Sequence, residues 1–380
     1  MLLYFFIIFF LYYIFLGLLI LGWHKVITNK SDEKSASVPF ISVVIAVRDE
    51  EKNISTLLKC LKEQLIPTNQ FEVIIVDDHS EDNTIIIVED FMKNEDFNLR
   101  LIKSQYHNNQ TISPKKSALI QAIGEAKNEL IVMTDGDCRF GKNWLRSMTS
   151  GFASQKTMFV SGPVILEERS NLLSKLQTIE FASLIGSGGA LIGLNYPLMC
   201  NGANLAFRKS AFYHVNGYEG NEENSSGDDV FLMQKIFKTF EDSISFAYEQ
   251  DAIVETLPQS SFFKLINQRK RWASKWNKFL MSFSWVLPIF LFIHYASFIV
   301  AAISIILWPH YYLLIGLYFL AKFILDYIFL KKVMDFCKLQ FDFWIFLLSE
   351  LLYPFYAMFF GVFVHFGSYS WKGRMHKINK

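Results

Sequence analysis

Long apolar segments at both ends of the chain constrain its fold more than any other feature. The first, residues 2–21, is an unbroken apolar run of bilayer-spanning length. Three more, at about residues 285–308, 311–330 and 341–366, follow near the C-terminus, and the first two are joined only by Pro309-His310, which suggests a tight helical hairpin. With 52% hydrophobic residues and 38 phenylalanines among 380 residues, the composition favours a membrane protein. The polar stretch between the two sets is therefore expected to fold as a domain attached to the membrane.

Charges beside these segments predict their orientation. No Lys or Arg precedes the first segment and no small-residue cleavage site follows it, so residues 1–24 are interpreted as a transmembrane helix rather than a signal peptide. Lysines 25, 30 and 34 follow, in and beside a predicted linker at residues 25–39. The positive-inside rule then places the N-terminus outside and the next domain in the cytoplasm, at the cell membrane.

The C-terminal end raises a conflict with the same rule. Three crossings within residues 283–366 would leave the basic tail, residues 367–380, outside the cell. Glu350 and Pro354 interrupt the last segment, which is also compatible with a kinked, re-entrant or interfacial arrangement. Both arrangements remain open at this stage.

Residues 40–258 alternate short apolar runs with helical spacing. Strands are predicted at residues 41–47, 71–76, 99–102 and 129–133, with helices between them, which indicates an α/β domain with a mainly parallel sheet. Polar clusters follow three of these strands: Arg48-Asp49-Glu50, Asp77-Asp78 and Asp135-Gly136-Asp137. Because ligands bind at the carboxyl ends of parallel strands, we expect these clusters to share one edge. Beyond residue 143 the pattern loosens, and we expect an irregular second half.

The pair Asp135 and Asp137 suggests a metal site. Residues i and i+2 of an extended segment point to the same side, and Gly136 lets the backbone between them approach a ligand closely. Carboxylate oxygens suit Mg²⁺ or Mn²⁺, with a substrate diphosphate completing the coordination. A plain Asp-Gly turn after a strand would produce the same local pattern.

Other features narrow the class of partner. A net charge of +1 implies no general attraction to nucleic acid. The four cysteines lie far apart without metal-ligand spacing, as expected of reduced thiols in a cytosolic domain. Residues 259–282 carry aromatic and aliphatic residues interleaved with Lys and Arg, which predicts an amphipathic helix on the membrane surface.

Taken together, five segments in order resemble the membrane-bound family 2 glycosyltransferases, which have the Rossmann-like GT-A fold. The matching segments are Val43-Val44-Ile45-Ala46-Val47-Arg48-Asp49-Glu50, Ile74-Ile75-Val76-Asp77-Asp78-His79-Ser80, Thr134-Asp135-Gly136-Asp137, Gly227-Asp228-Asp229 and Gln268-Arg269-Lys270-Arg271-Trp272. The third resembles the metal-binding D-x-D motif and the last is a full Q-x-x-R-W. The match extends from residue 43 to residue 272, which is most of the predicted cytoplasmic part.

The resemblance implies roles on the donor side. Asp135 and Asp137 would hold the divalent cation, and Arg271 would bind the departing diphosphate. The substrate-binding candidates from the other motifs are Glu50, Asp77, Asp78, Lys115, Gln268 and Trp272. Asp77 and Asp78 would bind the nucleotide, although a helix N-cap or Asx-turn is an alternative role for them. Pro114 replaces the usual glycine before Lys115-Lys116, so either lysine remains a candidate for the phosphates.

The resemblance also implies an acceptor side. Asp229 is the candidate general base that takes the proton of the attacking hydroxyl, and Asp228 would orient its surroundings. A single displacement with one base inverts the anomeric configuration. Trp272 offers a stacking face for an acceptor sugar, and Asn201-Gly202-Ala203-Asn204 resembles the acceptor-side loop.

The predicted function is therefore transfer of a sugar from a nucleotide-sugar, expected to be UDP-linked, to a lipid or lipid-linked saccharide. A processive polysaccharide synthase remains an alternative, because Q-x-x-R-W is typical of such enzymes. A non-catalytic nucleotide-sugar sensor in the membrane is an alternative from another class. A small transporter would need polar residues within its membrane segments, for which Asp326 and Glu350 are the acidic candidates.

Overall fold

The computed structural model describes residues 2–28, 39–105, 112–223, 226–273, 283–307, 309–363 and 367–377. The helices are α1 (Leu2–Thr28), α2 (Ile54–Lys62), α3 (Thr84–Asn94), α4 (Pro114–Glu125), α5 (Trp144–Ser150), α6 (Leu172–Gly193), α7 (Lys209–His214), α8 (Asp228–Thr239), α9 (Phe262–Ala273), α10 (Phe283–Leu307), α11 (Tyr312–Phe336) and α12 (Phe343–Phe363). The strands are β1 (Ile41–Val47), β2 (Phe71–Asp77), β3 (Leu99–Lys103), β4 (Leu130–Thr134), β5 (Arg139–Phe140), β6 (Phe159–Ser161), β7 (Val164–Leu166), β8 (Asn204–Arg208), β9 (Ile244–Phe246), β10 (Val254–Thr256), β11 (Ser368–Trp371) and β12 (Arg374–Lys377).

The central sheet has seven strands in the order β3-β2-β1-β4-β8-β6-β9. Strands β3, β2, β1 and β4 are parallel, and β8 runs antiparallel to both β4 and β6. Alternate residues of β1 enter different apolar clusters: Val43 and Ile45 lie in one, Val44 in the other. Both faces of the sheet are thus covered, as expected for apolar strands between helices. The predicted α/β class with a mainly parallel sheet is confirmed.

The second half is more regular than the sequence pattern suggested. Residues 172–193, which we expected to be irregular and Gly-rich, form the 22-residue helix α6. A side chain on Gly193 would overlap the backbone carbonyl of Gly22 in α1, and one on Gly22 would overlap that of Ala190. The glycines therefore allow two helix backbones to touch, as small residues do at membrane helix interfaces. The helical pattern was missed because the contact favours glycine over amphipathic spacing.

Four of the described helices are long and apolar enough to cross a membrane: α1, α10, α11 and α12. Helices α10 and α11 are joined by a short 3₁₀ turn at Pro309–Tyr311, as the sequence predicted. Helix α1 extends to Thr28, beyond the predicted end at residue 24, and residues 29–38 of the predicted linker lie outside the described residues. The predicted surface helix ends at Ala273 in the described part, and residues 274–282 lie outside it.

The acidic residues of the apolar helices are paired with a lysine. The Lys322 side chain is 4% exposed and forms ion pairs with Asp326, at 2.7 Å, and with Glu350 of α12. The Tyr12 hydroxyl of α1 donates to Asp326 at 3.1 Å. Since each charge has a partner, these residues hold α1, α11 and α12 together rather than line an open path.

The chain segments before and after α12 both contact the α/β domain. Asp342, directly before α12, pairs with Lys175 of α6 at 3.2 Å. After α12, strands β11 and β12 form an antiparallel hairpin whose turn, Lys372-Gly373, has positive φ at both residues. This hairpin docks beside Arg48, at the carboxyl end of β1. The basic tail thus lies on the same side of the molecule as the start of α12.

Candidate active site

The polar clusters that follow β1, β2 and β4 meet at one edge of the sheet, as expected. Val47 and Asp77 are neighbours in the register of β1 and β2. A Cβ on Gly136 would lie only 2.9 Å from Cγ of Glu50, so the D-x-D turn packs directly on the loop after β1. A side chain at position 136 would separate the two loops, which gives Gly136 a steric reason beyond backbone freedom.

Asp135 forms an ion pair with Lys115. Nζ of Lys115 lies 2.8 Å from Oδ1 of Asp135. Burial by itself would raise the pKa of Asp135, but the Lys115 ammonium outweighs it and holds that pKa below its usual value. The same ion pair raises the pKa of Lys115 against the opposing effect of its burial. Lys116 instead is 1% exposed and binds the carbonyl of Asn221, so Lys115 is the lysine at the D-x-D turn.

Asp137 has a different environment from Asp135. Its Oδ2 accepts a hydrogen bond from the Thr256 hydroxyl at 3.1 Å. Burial, followed by the negative charge of Asp135, raises the pKa of Asp137. No group of three or more His, Cys, Asp or Glu side chains is placed to hold a metal among the residues that the structure describes. Two hard carboxylates fit a Mg²⁺ or Mn²⁺ ion whose remaining ligands are substrate phosphates and water.

The acidic pair at the start of α8 reaches the same region. Gly227 precedes the helix with φ of 82°, which turns the chain so that Asp228 and Asp229 open its first turn. The negative charge of Asp228 contributes to the raised pKa of Lys115. Oδ2 of Asp229 accepts a hydrogen bond from the backbone N–H of Gly202 at 3.0 Å. The loop interpreted as acceptor-side therefore contacts the candidate base.

Asp77 and Asp78 have partners within the protein. The carboxylate of Asp77 accepts from the backbone N–H of Ser80, at 3.2 and 3.3 Å, which is the Asx-turn alternative. Asp78 forms a bidentate ion pair with Arg374, at 2.7 and 3.2 Å. Asp78 is only 4% exposed, so Arg374 supplies most of the compensation for this buried charge.

Glu50 forms an ion pair with Lys372, which lies in the turn of the same hairpin. Nζ of Lys372 lies 2.6 Å from Oε1 of Glu50, and Nε of Arg48 donates to the carbonyl of Lys372 at 3.2 Å. Burial raises the pKa of Glu50, and Lys372 lowers it in part. Sequence reasoning missed Lys372 and Arg374 as site residues. The only sequence signal for these two residues was a basic cluster that contains Lys-Gly, in a tail whose charge conflicted with the positive-inside rule.

The Q-x-x-R-W residues lie on α9, beside the sheet edge. Helix α9 packs against β11 of the hairpin that binds Glu50, and the Arg271 guanidinium contributes to lowering the pKa of Asp135. Gln268 instead accepts a hydrogen bond from Nη1 of Arg269 at 2.6 Å. The Trp272 ring packs against Phe181 of α6 with the centroids 6.1 Å apart, and Arg269 covers it at 4.3 Å. Part of the ring predicted to stack on a sugar is thus in contact with protein.

A mainly parallel sheet with acidic residues at its carboxyl edge, flanked by apolar helices, is the arrangement expected of a glycosyltransferase of the GT-A type. The model of glycosyl transferase family 21 matches residues 5–380, nearly the whole chain, and the protein therefore belongs to that family. The predicted resemblance to glycosyltransferases of this type is confirmed.

Two relatives with assigned activities differ in their products. The chain is 28% identical over 249 residues to a poly-beta-1,6-N-acetyl-D-glucosamine synthase of Staphylococcus epidermidis, covering 64% of this chain and 56% of that protein. It is 26% identical over 243 residues to a beta-monoglucosyldiacylglycerol synthase of Trichormus variabilis, covering 63% and 50%. The chain thus spans about half the length of the curated relatives it matches.

Among solved structures, the fold is similar to the mannosyltransferase PcManGT from Pyrobaculum calidifontis, in complex with GDP-Man and Mn²⁺. The TM-score is 0.55, with 17% sequence identity, and the match covers 90% of this chain and 96% of that one. At this identity the similarity concerns the fold.

Proposed function

We propose that the protein is an inverting, metal-dependent glycosyltransferase. It transfers a sugar from a nucleotide-sugar, UDP-linked in our prediction, to a lipid or lipid-linked saccharide acceptor in the membrane. The observation that carries the proposal is the ion pair between Asp135 and Lys115 at the D-x-D turn, with Arg271 and Asp228 acting on the pKa values of that pair. Two carboxylates for a cation, two cations for a diphosphate and a nearby base are the groups that such a transfer needs.

The residues divide the work by charge. A divalent cation bound by Asp135 and Asp137 would neutralise the negative charge that develops on the departing diphosphate. Arg271 and Lys115 stabilise the same charge, and Lys115 exchanges its contact with Asp135 for one with a phosphate oxygen. Asp229 takes the proton of the acceptor hydroxyl, and the N–H of Gly202 holds its carboxylate in position. The negative charge of Asp228 acts on the Lys115 ammonium, and Asp228 orients this region.

The arrangement of α12 supports a cytoplasmic catalytic domain at the cell membrane. Asp342 before α12 and the hairpin after it both contact the catalytic domain, so a complete crossing by this helix would separate contacts that the structure contains. With α1, α10 and α11 as crossings and α12 within or near the membrane plane, the basic tail remains cytoplasmic. This assignment removes the conflict with the positive-inside rule.

The acceptor class has support from both relatives. One is named as a polysaccharide synthase and the other as a glycolipid synthase, and both names state a β linkage. An inverting enzyme makes a β linkage from an α-linked donor. We favour a single transfer onto a lipid-anchored acceptor, because the four apolar helices among the described residues are few to enclose a polymer path. A processive synthase would give long products, whereas the lipid acceptor gives a product of fixed size that partitions into organic solvent.

The test is release of nucleoside diphosphate by the detergent-solubilised chain. Donors with UDP, GDP and other nucleotides are supplied with membrane lipid extract, with and without Mn²⁺ or Mg²⁺. We expect metal-dependent release from one donor, and a loss of about 10²- to 10⁴-fold in Asp229→Asn, because its amide cannot accept the proton. Asp90→Asn, an exposed carboxylate on α3, is the matched control and keeps full activity.

Two results would count against the proposal. Tight nucleotide-sugar binding without turnover of any donor would favour a sensor. Turnover that survives in Asp229→Asn would refute the role of Asp229 and leave the transferase class standing.

A further inference from the structure

Arg269 lies inside the Q-x-x-R-W signature at a position to which the resemblance assigns no role. It is 8% exposed, which is unusual for a cation on a helix beside a membrane. Its guanidinium donates to Oε1 of Gln268 at 2.6 Å and lies 4.3 Å from the centre of the Trp272 ring. One side chain therefore holds two of the residues that define the motif.

Arg269 is in turn held by two other elements. Its Nε and Nη2 donate to the two carboxylate oxygens of Glu180 in α6, at 3.1 and 2.6 Å. The hydroxyl of Tyr356 in α12 lies 2.9 Å from Nε of Arg269 and donates to Glu180 at 2.8 Å. The three residues connect α9, α6 and α12 in one network, which we name the α9 clamp.

Helix geometry relates this clamp to the reaction site. At 3.6 residues per turn, Arg269 and Arg271 point about 200° apart around α9. Leu265, also buried, lies one turn before Arg269 on the face that packs on the protein. The opposite face carries Arg271, and α9 also packs against β11 of the hairpin whose Lys372 binds Glu50 at the sheet edge. A rotation of α9 about its axis would therefore displace Arg271, and the clamp resists that rotation.

The chemistry of the clamp suits a fixed geometry. A planar guanidinium that binds both oxygens of a carboxylate sets an orientation that a lysine cannot reproduce. Because the pair is nearly buried, with side chains 9% and 12% exposed, removing either partner leaves a charge without compensation. Tyr356 adds a direct contact from the apolar helix α12, so the orientation of α9 depends on how that helix sits.

We propose that Arg269, Glu180 and Tyr356 are positioning residues that set the orientation of Arg271 toward the donor diphosphate. This inference rests on the proposed function, in which Arg271 binds that diphosphate. The clamp acts through α9 and does not itself touch the substrate. It also ties the donor site to a helix of the membrane region, through a residue outside the signature.

A double-mutant cycle on nucleotide binding tests the clamp without requiring turnover. Binding of UDP and GDP in Mn²⁺ is measured by calorimetry on the full chain in detergent, for the native protein, Arg271→Ala, Glu180→Gln and the double variant. Arg271→Ala is expected to weaken binding by about 10- to 100-fold, the value of a charge-assisted contact. Glu180→Gln is expected to weaken it by about 5-fold, and the double variant to be less than about 3-fold weaker than Arg271→Ala.

Additive losses would overturn the clamp, because a purely structural role does not change what Arg271 contributes. Tyr356→Phe removes one hydroxyl with little risk to folding, and it should give a smaller loss with the same lack of additivity. Lys175→Met is the matched control: the Lys175–Asp342 pair joins α6 to the start of α12 without an α9 side chain. Absence of nucleotide binding by the native chain would instead overturn the proposed function.

Discussion

The two halves of the candidate site are assembled in different ways. The first half comes from the ends of adjacent parallel strands and the loops that follow them: Glu50 after β1, Asp77 and Asp78 at the end of β2, and Asp135 and Asp137 after β4. Each position follows from strand order and register alone. The second half consists of contacts between residues that are far apart in the chain. Arg269 and Tyr356 contact Glu180, and Lys372 contacts Glu50.

This difference separates two kinds of dependence. A strand end is fixed by the hydrogen-bond ladder of its own sheet, so the backbone positions of the first half follow from the sheet. The second half exists only when α6, α9, α12 and the C-terminal hairpin are docked together. Variants in the first half should therefore change chemistry without moving other elements, whereas variants in the second half should move whole elements.

The largest expected effect belongs to the first half. Asp135→Asn removes one of two carboxylates and leaves the ammonium of Lys115 without its ion pair, beside the cation site. We expect Mn²⁺ affinity to fall by at least about 100-fold, because one charged ligand is lost and a repulsive charge is left. Calorimetric titration with Mn²⁺ measures this, and unchanged affinity would refute the metal site. Asp90→Asn serves again as the exposed control.

A second prediction concerns the hairpin of β11 and β12. Replacing both Lys372 and Arg374 by Ala removes its ion pairs with Glu50 and Asp78. Tyr369 is 3% exposed in the native chain. We expect chymotrypsin to cleave the double variant at Tyr369 about ten times faster than the native chain, because local opening of the hairpin exposes that residue.

The matched control for the hairpin is Met375→Ala, whose side chain is 70% exposed on the same hairpin. Its cleavage rate should equal that of the native chain. Equal rates in all three proteins would mean that the ion pairs do not hold the hairpin, and the tail would then be independent of the sheet edge.

The smallest expected effect tests whether Lys115 belongs to the site. In Lys115→Met at pH 8, Mn²⁺ alone should bind about 3- to 10-fold more tightly, because a cation beside Asp135 is gone. Removing the ammonium raises the pKa of Asp135 from its lowered value, so this gain should shrink as the pH falls. Binding of UDP should weaken in the same variant. Lys127→Met, exposed just after α4, should change neither.

The sequence predicted β1 to β4 and the meeting of their polar ends, because apolar strands and helical spacing are local signals. It also predicted the short connection between α10 and α11. It did not predict α6, whose glycines serve contact with α1 rather than an amphipathic pattern. Nor did it predict which of the two lysines after Pro114 faces Asp135, since a helix start presents both.

By itself, the sequence determined the class of fold, the number of apolar segments and the residue types at the sheet edge. Periodicity and strand order carry that information within short windows. Only the tertiary structure decided that Arg374 neutralises Asp78, that Arg269 holds Gln268 and Trp272, and that the segments before and after α12 both contact the α/β domain. Those contacts join residues from distant parts of the chain, and their geometry depends on the packing of several helices at once.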